Sequence, residues 1–197
     1  MGYETIRRAP LQLRAIPDGW QSELGQQLYE TLRPTVAELR WVVAHECAHI
    51  KHEDGLARGL GLGLGLLAYH ATTKLLWRRL GAAMHRGSSA GGVRGALVLA
   101  GPLLVGLAQV QLARQQEYAA DRAAGEISAE HARGGISHLE RILRYNHFRR
   151  DHLGDGQVDE SGDMKSRWVT HPPTEARLAE LRAIAEGFEE GVPRPAA

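Results

Sequence analysis

The residues best suited to chemistry in this sequence are five in a row, His45-Glu46-Cys47-Ala48-His49. Residues four apart on a helix share a face, so two imidazoles at this spacing can reach one ion. Glu46 lies beside that face, where its carboxylate can take a proton from a water made acidic by a bound zinc. Water activated in this way attacks carbonyl carbon, so the chemistry on offer is hydrolysis. A charged helix face can match so short a pattern by accident, and ten histidines raise that chance.

A catalytic zinc takes three protein ligands and keeps a fourth position for water. His52 lies about 10 Å along the axis from His45 at 1.5 Å per residue, so it is expected to be exposed or to sit behind the ligands. The better third ligand is Glu117, in Glu117-Tyr118-Ala119-Ala120-Asp121. Asp121, four residues on, is placed to accept an N–H from a ligating histidine and orient it. Ala119 and Ala120 are small enough to let two helices come close. One Zn2+ per chain is the cofactor expected. Cys47 falls on the far side of the helix from His45, and a small buried apolar role is expected for it.

Helices must position these groups. Gln21–Leu32 reads as a first helix, closed by Pro34. Thr35-Val36-Ala37-Glu38 is a capping box, opening a helix that passes Leu39, Val42, Val43 and Ile50 to about Asp54, with Gly55 as its stop. Gly59–Ala68 and Gly95–Ala108 are apolar arms around the polar link Arg86–Gly92, the pattern of a helical hairpin. A helix continues from the second arm through Gln115–Ile127. Ser128 caps the next, about Ala129–Phe148. Asp151, Asp155, Asp159 and Asp163 lie in a polar stretch that lacks calcium-loop chemistry, so a solvated mobile loop is expected. A last helix follows His171-Pro172-Pro173 and ends near Gly187. One short strand, Leu11–Ile16, precedes Pro17-Asp18-Gly19.

The 197 residues suffice for one domain with a core. The single cysteine excludes an internal disulfide framework. Lysine and arginine (24) balance aspartate and glutamate (23), so no global field favours nucleic acid. The first thirty residues lack an apolar secretory segment and carry Arg7, Arg8 and Arg14, so a cytoplasmic, unsecreted protein is expected.

His45-Glu46-x-x-His49, an apolar hairpin, Glu117-x-x-x-Asp121 and His171-Pro172-Pro173-x-x-x-Arg177 occur in that order. The arrangement resembles the HtpX-type and CAAX prenyl-endopeptidase family of gluzincins over about residues 35–185. The resemblance implies a zinc endopeptidase with ligands His45, His49 and Glu117, general base Glu46, and Asp121 behind the ligands. It also implies that His171 and Arg177 lie near the substrate cleft. The expected fold is mainly α (α+β with a small, reduced sheet), a zincin-like core with the hairpin between the ligand motifs. The expected division is a segment 1–34, a peptidase domain 35–187 containing the hairpin 56–113, and a flexible tail 188–197. Membrane-bound members of that family carry further transmembrane helices ahead of the first motif, and the expected sheet is short here.

For the hairpin two readings stand: a marginal membrane element over 59–108, or two buried helices covering the active-site helix. The expected partner is a polypeptide, unfolded or membrane-associated, in protein quality control or processing. The alternatives are a catalytically silent peptidase-like binding module and an antitoxin-type regulatory peptidase.

Overall fold

The computed structural model describes residues 21–84, 90–165 and 170–190. Among the described residues six helices follow one another: α1 (Glu23–Leu32), α2 (Val36–Lys51), α3 (Asp54–Met84), α4 (Ala90–Gly125), α5 (Ala129–Leu153) and α6 (Thr174–Glu189). Among the described residues there is no strand, and only an isolated antiparallel bridge joins Val158 to Met164. The mainly α expectation holds. The strand Leu11–Ile16, on which the small sheet rested, lies outside the described residues, as does most of the expected tail.

The local signals act as their chemistry dictates. Ser22 caps α1 through its hydroxyl, Thr35 and Glu38 form the reciprocal capping box of α2, and Ser128 caps α5. Gly154, at φ 64°, ends α5 in the left-handed conformation that glycine adopts without strain. Two boundaries differ most from expectation: α5 continues to Leu153, past the expected Phe148, and α2 ends early. α2 stops at Lys51, with His52 at its cap, and Glu53 turns the chain at φ 53°. Asp54 then opens α3, so Gly55 lies inside a helix and is not a stop. The turn places Asp54 back against the end of α2.

α2, α5 and α6 pack around Trp41, Leu139, Leu178 and Leu181, with Ala124 of α4 and Ala132 closing the core. The face α2 buries is Glu38, Trp41, His45 and Ala48, while Leu39, Val43 and Ile50 are exposed. Cys47 is exposed as well, which corrects the expected buried role: it sits on the face that this packing turns outward. Glycines bring α5 close to α2. A Cβ on Gly134 would stand 2.4 Å from the Ala37 carbonyl oxygen, and one on Gly135 2.5 Å from the Trp41 ring nitrogen.

α3 and the first part of α4 form the hairpin. Gly61 faces Gln109, Gly65 faces Val105 and Gly101 faces Tyr69, an antiparallel order in which glycines let the arms touch. The leucines point elsewhere: Leu56, Leu60, Leu64 and Leu67 are all more than half exposed, as is Leu104 on the second arm. The reading of a buried pair covering α2 is therefore corrected. Among the described residues no helix is long and apolar enough to cross a membrane. α4 runs through Pro102 without a break and carries the second motif into the core.

Candidate metal centre

His45 and His49 project from one face of α2 toward Glu117 on α4. Their Nε2 atoms are 3.1 Å apart, and Glu117 Oε2 and Oε1 lie 3.8 and 3.6 Å from them respectively. All three donor atoms fall within 4.8 Å of one another, the arrangement of a group able to hold a metal ion. Two ligands of a tetrahedral zinc with bonds of about 2.0 Å stand roughly 3.3 Å apart, close to the observed separations.

The outer ring nitrogens decide which lone pairs face inward. His49 donates from Nδ1 to Asp54 Oδ2 at 2.6 Å. His45 Nδ1 lies 3.0 Å from Asp121 Oδ1, though too bent for a well-formed hydrogen bond. A carboxylate behind each ring favours Nδ1–H and leaves Nε2 as a bare acceptor. Two bare nitrogens and a carboxylate facing one another repel unless a cation or a proton lies between them. The donor set therefore fits a zinc-type ion.

A second layer holds Asp121. Arg177 grips it with two parallel bonds, Nε to Oδ2 at 2.6 Å and Nη2 to Oδ1 at 2.7 Å, while Asp121 itself is fully buried. Burial alone raises a carboxyl pKa, but the two bonds from Arg177, with His45 close by, outweigh it and hold Asp121 below its ordinary value. Glu117 behaves alike: burial opposes ionisation, yet His171, 2.8 Å away, then the charges of Arg177 and His45, lower it to about 2. The Arg177 guanidinium is also 3.6 Å from Glu117 Oε2, and burial alone would weaken its charge. Its bond to Asp121 more than reverses this and raises its pKa.

His171 stands at the rim, one-third exposed, with Nδ1 2.8 Å from Glu117 Oε2. It does not cap α6. Asp163 does that, accepting from Thr174 N through both oxygens and from the Thr174 hydroxyl at 2.5 Å. Asp159 accepts from Ser161 and Asp163 backbone N–H groups, so this stretch is folded around its aspartates. Glu46 is exposed and lines the same cleft of about 290 Å³ as the two histidines, Glu117, His171 and Arg177. A neighbouring cavity of about 280 Å³ shares Ile142, His171 and Arg177 with it.

The model for peptidase family M48 matches residues 23–185, most of the chain. The chain belongs to that family. It is similar to proteins named Protease HtpX homolog. That of Pyrococcus abyssi (strain GE5 / Orsay) is 34% identical over 158 residues, covering 75% of this chain and 54% of the relative. That of Methylibium petroleiphilum is 31% identical over 159 residues, covering 75% and 55%, and that of Thermococcus kodakarensis 31% over 163, covering 76% and 55%. The chain spans about half the length of the curated relatives it matches. No solved structure matches it.

All seven residues singled out in the sequence fall within the M48 match and meet at this centre: His45, Glu46, His49, Glu117, Asp121, His171 and Arg177. His52 is exposed and stands apart from them. Asp54 was missed. It reads in sequence as part of a helix end, and its only signal was an acidic residue one turn beyond the second histidine. His138 of α5 also lines the cleft, and nothing local in its sequence marks it.

Proposed function

We propose that this M48 chain is a zinc-dependent endopeptidase, acting on polypeptides in quality control or processing. The observation that carries the reading is the convergence of two Nε2 atoms and the Glu117 carboxylate, with a carboxylate behind each imidazole. Zinc held by His45, His49 and Glu117 would supply a Lewis acid that polarises the scissile carbonyl and lowers the pKa of a water.

The chain's own residues do the rest. Glu46, exposed in the cleft and not among the converging donors, takes the proton of the attacking water and passes it to the leaving amine. His171, on the rim, is assigned to the carbonyl oxygen as negative charge builds there. Arg177 acts from behind, fixing Asp121 and through it His45. The adjoining cavity, lined by Leu139, Ile142 and Met164 on one hand and Arg114, Asn146 and Asp159 on the other, offers a seat of mixed polarity for a side chain flanking the scissile bond.

Casein cleavage by zinc-loaded protein, abolished by a chelator and in Glu46→Gln, is the expected result. Zinc-loaded protein that binds polypeptide but cleaves none would overturn the proposal in favour of a silent binding module.

A further inference from the structure

A chain of polar contacts runs from α2 into α5 and ends at the cleft. Glu38 is 2% exposed, yet ionised: burial opposes its charge, and bonds from Ser137 and Arg141 lower its pKa all the same. Ser137 Oγ donates to Oε1 at 2.5 Å, Arg141 Nε to Oε2 at 2.8 Å, and Thr35 N to Oε2 at 3.2 Å. With Nε so held, Arg141 Nη2 reaches His138 Nδ1 at 3.0 Å.

A guanidinium has donors and no acceptor, so His138 Nδ1 must accept. The ring proton of a neutral His138 is then on Nε2. The Trp41 ring, 5.3 Å away centre to centre and tilted by 40°, fixes the plane of the imidazole. His138 lines the same cleft as Glu46, Glu117 and His171. Burial, assisted by the charge of Arg141 and opposed by that of Glu38, lowers its pKa to about 4, so the ring is neutral at neutral pH.

We propose that His138 is a substrate-binding residue whose Nε2–H donates to a main-chain carbonyl of the polypeptide in the cleft. The proposal rests on the reading of this cleft as a peptide site. A neutral donor suits the place, because an imidazolium there would repel a cation held by His45, His49 and Glu117. Arg141 and Glu38 are positioning residues, acting through the tautomer they impose. The competing reading is that His138 only packs against Trp41, a role that phenylalanine would fill.

The test uses full-length, zinc-loaded protein labelled with 15N-histidine, with the His138 resonances assigned by their loss in His138→Phe. Nε2 is expected to be protonated and Nδ1 bare from about pH 6 to about pH 8, and the reverse tautomer overturns the proposal. Adding a casein-derived peptide to Glu46→Gln should shift the His138 Nε2 resonance, and an unmoved resonance at saturating peptide overturns it. In kinetics, His138→Phe should raise KM about tenfold, the loss of one hydrogen bond, with zinc content unchanged. His138→Gln, whose amide can donate from the Nε2 position, should recover to within about threefold of the parent. A parental KM in His138→Phe refutes the assignment. If the parent cleaves nothing, the endopeptidase reading fails by itself, and the tautomer and the peptide-induced shift still decide the role of His138.

Discussion

Asp54 and Asp121 stand in equivalent places, each behind one imidazole, but they do not carry equal structural weight. Asp121 is also gripped by Nε and Nη2 of the Arg177 guanidinium, and both groups are buried. Asp121→Ala leaves Arg177 charged and without that partner in the interior, a loss of about 3–5 kcal/mol of stability. A change in metal affinity in that variant is therefore mixed with unfolding. Asp54, held to His49 by a single short bond, is the cleaner probe. Asp54→Ala should lower zinc affinity by about 10–100-fold with the melting temperature of the metal-free protein little changed. Competition with a zinc-sensitive dye measures it, and parental affinity would remove Asp54 from the centre. Glu117→Ala should lose most of the bound zinc outright, while Glu46→Gln should keep it and lose activity. Equal metal content in Glu117→Ala and parent would mean that the third ligand is another group.

At the scale of elements, the crossing of α2 over α5 holds in place the helix that carries His45 and His49. Ordinarily Gly→Ala inside a helix gains about 1 kcal/mol. At Gly134 the added methyl would meet the Ala37 carbonyl oxygen at 2.4 Å, a contact with backbone that cannot swing aside. Gly134→Ala should destabilise by about 1–3 kcal/mol, as overpacking does, and a higher denaturation midpoint than the parent would contradict the close crossing. Glu38 ties the same crossing electrostatically. Its folded pKa lies below the ordinary 4.5, so its contribution is complete above that value and drains away as pH falls through the folded one. Metal-free Glu38→Gln should melt below the parent at pH 7, and the gap should narrow below pH 4.5. A gap independent of pH would mean that the Glu38 charge is not what stabilises the crossing. The starts of α2 and α5 were legible because capping is local: Thr35 with Glu38, and Ser128, each act within three residues. The two ligand motifs were legible for the same reason, as spacing on a single helix. The buried face of α2 was not. Its apolar residues Leu39, Val43 and Ile50 point outward, and its core face is half polar because Glu38 and His45 find partners on α4 and α5, distant in sequence. Asp54 and His138 were hidden likewise, since their roles depend on a turn at Glu53 and on a guanidinium one turn along α5.

Over the whole molecule, the centre is compactly held while the hairpin beside it is not. α3 and α4 spend their glycines on each other, at Gly61, Gly65 and Gly101, and turn leucines outward. Leu60, Leu64 and Leu67 follow one another along α3 at helical spacing, 57, 65 and 67% exposed, on an arm that carries no charge from Gly59 to Thr73. An apolar stripe of this length on a surface is a site for association. We propose that this stripe adsorbs to a membrane surface, with leucines entering the acyl boundary and the helix lying along it; none of the described helices is apolar enough to span a bilayer. Covering the exposed half of each leucine is worth about 1 kcal/mol, roughly 3 kcal/mol for the three together. The triple variant Leu60→Ser, Leu64→Ser, Leu67→Ser should therefore bind phosphatidylcholine vesicles about 100-fold more weakly than the parent in a flotation assay. All three side chains are already open to water, so the thermal stability of the variant should match the parent's. Alkaline carbonate should release the parent from the vesicles, as it releases adsorbed proteins and not spanning ones. Vesicle binding unchanged in the triple variant would remove the α3 stripe as the contact. Retention of the parent after carbonate treatment would mean that the arms insert, a mode that the apolarity of the described helices does not support.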